Sequence, residues 1–287
     1  MAMTGILKPH SKDLGGGFIV RRSLPGADTR AIGPFIFFDH FGPVIRLPSD
    51  NFDVRPHPHI GLATVTYLFE GAMLHRDNLG YEQRIEPGAI NWMTAGRGIV
   101  HSERGPADLR DTPYPIHGLQ LWSALPRKFE ECEPAFAHTP AEVLPQWRET
   151  GWSARVLIGS MFGLTSPVRT YAETVYIDFD TARSATIDLP AATIERGIYL
   201  VNGTMAIDGR ELAPMQLAVL DTAATRIDVS SGARFVLIGG EPLDGYRFMW
   251  WNFVSSRRER IEQAKQDWVA QRMGTIPGET EFIPLPE

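Results

Sequence analysis

Two of the chain's eight histidines fall one residue apart in "HPHIGLATVTYLFEG", which runs from His57 to Gly71 at the mouth of an apolar, β-branched segment. In an extended chain, residues two apart share a face. His57 and His59 then point one way and Pro58 the other, and a proline at a strand entrance removes a ladder donor only at the end. Downstream, "TAGRGIVHSERG" repeats the spacing with His101 and Glu103, leaving Ser102 opposite. Two such strands side by side gather three imidazoles and one carboxylate. That donor set suits a divalent transition metal such as iron, nickel, manganese or zinc. An isolated HxH binds nothing in many proteins. The joint pattern is what predicts a metal site: HxH, a glycine-bounded hairpin, Pro87-Gly88, then HxE.

The elements that must carry these residues read as short strands with turn punctuation, the pattern of antiparallel sandwiches and barrels. "GFIVRR", "FIFFDHF", "ATVTYLF", "HGLQLWSAL", "ARVLIG", "TVYIDFD", "GIYLV" and "ARFVLIGG" are examples, with Gly and Pro clustered between them. The proline-rich stretch from Pro126 to Trp147 reads as a connection between two β units. A single helix is expected late, over "RRERIEQAKQDWVAQRM", capped by Ser255 or Ser256 and stopped near Gly274. Its apolar stripe is Ile261, Ala264, Trp268 and Val269, and the tail beyond it is expected to lie irregularly along the surface. An ungapped offset of 132 residues lays "YLFEGAM" on "YLVNGTM", with Tyr67 on Tyr199 and Met73 on Met205. It also lays Pro58 on Pro190, so Leu189 and Ala191 replace the two histidines. Two copies of one barrel are expected, with the chemistry kept in one.

Composition narrows the function classes. The chain has 287 residues, 43% of them apolar and 22% charged, and a net charge of −6. A core of useful size is expected, and the absence of a basic stripe argues against direct nucleic-acid binding. Cys132 is the sole cysteine, which removes any intrachain disulfide or cysteine-rich zinc framework. Met1 to Gly17 has no apolar core and no run approaches the roughly 20 apolar residues of a membrane span, so a cytoplasmic, membrane-free protein is expected. No GxSxG or Cys–His pattern points to acyl transfer, and "LGGG" before a strand is no dinucleotide fingerprint. Among the other histidines, His75 in "LHRD" is read as a structural or supporting residue and His40 as a turn residue beside Asp39. His10, His117 and His138 have no sequence partner.

"GPFIFFDHFGP", "RPHPHIGLATVTYLFEGAMLHRDNLG" and "PGAINWMTAGRGIVHSE" resemble the pirins, two-domain members of the cupin superfamily, and the likeness continues through "WWNFVSSRRERI" to "FIPLP". The resemblance implies an all-β bicupin, two tandem jelly-roll-like barrels with a C-terminal helix. The expected division is a metal-binding domain over 1–135 and a metal-free one over 136–287. Carried over residue by residue, the metal ligands are His57, His59, His101 and Glu103. Many cupins place a glutamate where this chain has Ala63, and the pirin pattern supplies the carboxylate from Glu103 instead. The implied cofactor is one divalent metal, iron(II) first, with nickel, manganese, copper, zinc or cobalt as alternatives. The implied activity is that of a quercetin 2,3-dioxygenase, opening a flavonol ring with dioxygen and releasing carbon monoxide. Its partners would be a small aromatic chelating substrate and O2, with Glu103 as catalytic group and apolar walls near Phe52, Trp92 and Met93. Other pirins imply a different role, a metal- or redox-sensing regulator that binds a transcription factor or a metabolic enzyme. One ligand-level outcome follows: His101→Ala strips most of the metal from a folded protein, whereas His75→Ala keeps metal bound. Elemental analysis alongside circular dichroism reads both.

Overall fold

The computed structural model describes residues 3–286. Two seven-stranded antiparallel sheets are each accompanied by a four-stranded one, forming two barrels whose spatial strand orders match strand for strand. In the first, the large sheet runs Ala135–Thr139, Ile90–Thr94, Leu62–Glu70, Tyr114–Ala124, Phe35–Arg46, Ile19–Leu24, His10–Asp13. Its small sheet runs Val54–His59, Ile99–Arg104, Met73–Asp77, Glu82–Ile85. In the second, the large sheet runs Met3–Leu7, Leu217–Leu220, Glu195–Asn202, Arg234–Gly240, Thr174–Thr181, Trp152–Ile158, Gln146–Glu149. Its small sheet runs Ala185–Leu189, Thr225–Val229, Met205–Ile207, Arg210–Leu212. The repeat read at an offset of 132 residues is therefore a repeat of topology: Leu62–Glu70 and Glu195–Asn202 hold the same central place.

The strands form where β-branched and aromatic residues can bury their side chains. Leu62–Glu70 is buried at every position but the last, because it lies between two paired neighbours, Ile90–Thr94 and Tyr114–Ala124, the latter in regular register from Gly118 to Ala124. Inside the first unit an apolar cluster gathers Phe18, Phe41, Leu68, Ile85 and Ile116. Inside the second, Ile177, Phe179, Ile198, Leu200, Phe235 and Leu237 do the same, with Phe179 and Phe235 stacked at 4.4 Å.

The compact units do not divide at a single point in the chain. One comprises Lys12–Val20, His40–Ala141 and Leu243–Glu287, the other Met1–Ser11, Arg21–Asp39 and Glu142–Pro242. A cut at 135/136 would assign Met3–Leu7 to the first unit, yet that strand pairs with Leu217–Leu220 of the second. It would also assign the helix to the second unit, yet the helix packs in the first. The stretch from Pro126 to Trp147 is more than a connection. Ala135–Thr139 joins the large sheet beside Ile90–Thr94, because Phe136 finds a flat partner in the His75 ring at 4.2 Å.

The helix spans Arg258–Val269 and starts without a side-chain cap on its own first turn. Ser256 is occupied elsewhere: its hydroxyl donates to the buried Glu130 carboxylate at 2.8 Å. Ser255 Oγ instead accepts from the Arg257 amide. Ile261, Ala264 and Trp268 face Ile60, Val100 and Phe253, contributing on the order of 2 kcal/mol for each large side chain buried. Val269 lies off that stripe and is exposed, and the helix stops at Ala270, four residues before Gly274. The tail returns to the strands that carry His57 and His101. Trp268 Nε1–H donates to the Ile283 carbonyl at 2.9 Å, and the Ile283 amide donates to Pro56 O at 2.8 Å. The Ser102 hydroxyl donates to Glu279 at 2.6 Å, and Arg104 pairs with Glu279 and Glu281. No helix among the described residues is long and apolar enough to cross a membrane.

Gly61 lets the chain turn directly after His59. It has φ +69, and a Cβ there would sit 2.0 Å from Val254 O. Gly163 has a similar φ of +74 but nothing within 4 Å. Gly163→Ala should therefore cost only the backbone strain, about 1 kcal/mol. Gly61→Ala adds a clash with main chain that cannot move aside, and should lower the thermal midpoint much further. Equal shifts in thermal unfolding of the full chain would contradict this close approach.

Candidate metal centre

His57 and His59 sit on Val54–His59, and His101 on the neighbouring Ile99–Arg104, paired antiparallel with His101 opposite His57. Alternation puts all three imidazoles on one face. Their rings pack at 4.4 to 5.0 Å centre to centre, and one nitrogen from each lies within 4.8 Å of the other two. All three are buried. Burial is also the main reason their pKa values fall: to about 4 for His57, partly offset by a bond to Arg55 O, and well below the usual value for His59 and His101. At neutral pH each ring is uncharged and keeps a lone pair.

The hydrogen bonds select which nitrogen stays bare. His57 Nδ1–H donates to Arg55 O at 2.9 Å, which leaves Nε2. His59 is bonded to the backbone of Asn252, and its buried Nδ1 has no partner. The orphaned atom of His101 is Nε2. A buried polar atom without a partner costs about 1–3 kcal/mol, and the geometry assembles such atoms in one place. The donor set fits a divalent transition metal, and this cluster can bind one.

His75 and Asp77 explain the choice at His101. His75 Nε2 lies 2.9 Å from Asp77 Oδ2, inside a fully buried pair. The carboxylate accepts, so the proton sits on Nε2 and the bare Nδ1 of His75 accepts from His101 Nδ1–H at 3.4 Å. That chain leaves His101 Nε2 as the free donor. The Asp77 carboxylate is held in turn by the amides of Leu79 and Tyr81. The "HRD" spacing in the sequence carried this signal, since His75 and Asp77 also stand two apart. Trp122, edge-on to His59 at 5.2 Å, and Phe136, flat on His75, gave none: they come from strands distant in sequence.

Glu103 is not part of the trio. Against Met73–Asp77 the register is regular, with His101 opposite Asp77 and Glu103 opposite His75. Against Val54–His59 it slips by one residue, so that Glu103 pairs with Val54. Its carboxyl, lifted to about 7 by burial, makes no hydrogen bond or ion pair among the described residues. It borders a small pocket with Phe18, Phe52, Met73, Tyr114 and Ile116. Phe52 is thus where an apolar wall was expected, whereas Trp92 and Met93 are core residues outside that pocket. His40 and His117, read as a turn residue and an unpartnered one, lie Nε2 to Nε2 at 2.7 Å. His138 is bonded to Asn91.

Comparison with known proteins fits this geometry. The pirin family matches residues 17–123, and the pirin C-terminal cupin domain matches residues 176–274. The chain belongs to the pirin family. This pirin is 47% identical to a pirin-like protein of Caulobacter vibrioides over 98% of its own length and 99% of that protein's. It is 34% identical to the pirin of Homo sapiens, covering 88% of this chain and 87% of the human one. A crystal structure of quercetin 2,3-dioxygenase from Acinetobacter baumannii superposes with a TM-score of 0.92 at 36% identity, over 99% of this chain and 95% of that one. The two-barrel cupin architecture with a C-terminal helix is shared with it.

In the second barrel Leu189 is paired with Thr225 as His57 is with His101, and Ile207 with Ile227 as His75 is with Glu103. Leu189, Ala191, Thr225 and Ile227 offer neither imidazole nor carboxylate. Removal of the acceptor behind His101 should be felt by the first barrel alone. His75→Phe keeps the ring packed on Phe136 but loses the bond to His101. It should retain a bound metal at saturation while weakening metal affinity about 10–100-fold, as read by competition with a chelator. Unchanged affinity would contradict the role given to His75.

Proposed function

We propose that this pirin is a metal-dependent dioxygenase that opens the central ring of a flavonol such as quercetin, with iron(II) held by His57, His59, His101 and Glu103. The observation that carries the reading is the convergence of three neutral, buried imidazoles, two of which, His59 and His101, hold a buried nitrogen without a partner. It stands in a chain 36% identical to quercetin 2,3-dioxygenase from Acinetobacter baumannii. A metal bound there supplies a Lewis-acidic, redox-active centre at which a chelating flavonolate and O2 can meet.

The remaining work falls to the chain's own side chains. The imidazoles stay neutral and fixed by Arg55 O, the Asn252 backbone and His75, so they need no reorganisation to bind a cation. Glu103 Oε would accept the proton of the flavonol 3-hydroxyl; among the described residues its carboxylate makes no hydrogen bond or ion pair. Phe18, Phe52 and Met73 are the apolar side chains beside it; the pocket holds only about 10 Å3 and Phe18 and Phe52 stack on each other at 5.0 Å, so a flavonol ring must part them to reach the carboxyl. These walls exclude water from the reacting ring.

Iron-loaded full-length protein should take up O2 in step with loss of quercetin absorbance and release of carbon monoxide. Glu103→Gln should lower turnover on the order of 100-fold or more. An oxygen electrode run with several flavonols checks this. No uptake at full iron occupancy would replace the catalytic reading with the non-catalytic regulator that other pirins imply.

A further inference from the structure

The second barrel has lost the metal donors but its mouth is not inert. A cavity of about 1080 Å3 opens there, bounded by Phe162, Val175, Pro190, Ala191, Ile194 and Leu237, with the Glu173 carboxylate also on its wall. Pro190 and Ala191 occupy the places of Pro58 and His59, so this is the same end of the barrel that collects imidazoles in the first copy. Arg196 also lines the cavity. It stands two and four residues before Ile198 and Leu200, both in the barrel's apolar core, so strand alternation turns it to the interior face.

Arg196 is only 3% exposed. Its Nη1–H donates to Pro190 O at 2.7 Å, and its Nη2–H to Ala223 O at 2.8 Å and Asp221 O at 3.3 Å. Nε–H is buried with no acceptor. All its partners are neutral carbonyls, and among the described residues no carboxylate forms an ion pair with it. A guanidinium does not give up its charge in a protein, and a buried charge without a counter-ion is costly. The backbone bonds hold the group in place, and the Asp221 carboxylate acts on its charge only through space, without an ion pair.

We propose that this cavity is a binding site for a small organic carboxylate with an apolar body, whose charge is received by Arg196. The guanidinium matches a carboxylate in sign, and its unpartnered Nε–H is a donor for one carboxylate oxygen. The walls offer apolar surface, and Phe162, itself stacked on Trp147 at 5.6 Å, presents a ring against which an aromatic body can lie. The volume is that of a small-molecule site. Duplication has then produced two ligand chemistries at one place in the fold: a cation among imidazoles in one copy, an organic anion at a guanidinium in the other.

Isothermal titration of the metal-loaded full chain with benzoate tests this, with benzamide as the uncharged analogue and acetate as the anion without a body. Benzoate should bind saturably, and both controls at least tenfold more weakly. Arg196→Gln should abolish the preference for benzoate over benzamide. Because Arg196 also ties together the segments at Pro190 and Ala223, a second variant, Ala192→Trp, fills the cavity and leaves that residue in place; it should block benzoate binding too. His101→Ala should leave benzoate binding intact. Equal binding of benzoate and benzamide would overturn the proposal, as would loss of benzoate binding in His101→Ala, which would move the site to the first barrel. Absence of saturable benzoate binding would reduce Arg196 to a structural clamp.

Discussion

The register between Val54–His59 and Ile99–Arg104 is the constraint on which the site depends. Placing His101 opposite His57 puts three imidazoles on one face, and a slip of one residue would turn one strand's histidines to the other face. Much of the surrounding structure secures that pairing. Gly61 turns the chain against Val254, the helix packs on Ile60 and Val100, and the tail fastens Pro56 and Ser102 from outside. A segment some 180 residues away in sequence thereby stiffens the two strands that carry the histidines. The interior face is left to chemistry and the outer face to stability.

Within that frame, hydrogen bonds settle what each imidazole presents. One bond to Arg55 O, one to the Asn252 backbone and one to His75 occupy a single nitrogen on each ring and leave the other free. Burial keeps the rings uncharged, so desolvation, which penalises a protonated histidine, favours a ligand-ready one. The second barrel keeps the sheet order, with Leu189 opposite Thr225 as His57 is opposite His101, yet fills the equivalent positions with Leu189, Ala191, Thr225 and Ile227. A repeated scaffold fixes where a site can be, and side-chain identity decides what it binds.

The HxH and HxE spacings made three of the site's side chains legible in the sequence, because period-two alternation is a local property that needs no knowledge of the partner strand. The duplication was legible for a similar reason: "YLFEGAM" and "YLVNGTM" fill the same central strand and turn. What escaped was decided by contacts distant in sequence. Glu103 stands opposite Val54 through a register slip that no local pattern announces. Ser256 does not cap the helix because Glu130, 126 residues earlier, takes its hydroxyl. Ala135–Thr139 became a strand because Phe136 meets His75, and the helix joined the first barrel because its stripe matches Ile60 and Val100. His40 and His117 form a pair only once Phe35–Arg46 and Tyr114–Ala124 lie side by side.

Anomalous diffraction at the iron absorption edge, on crystals of the iron-loaded protein, tests the central claim most directly. The account predicts one strong peak within bonding distance of His57 Nε2, His59 Nδ1 and His101 Nε2, and none at the mouth of the second barrel. A peak elsewhere, or ion coordination through the opposite nitrogens of those rings, would contradict it.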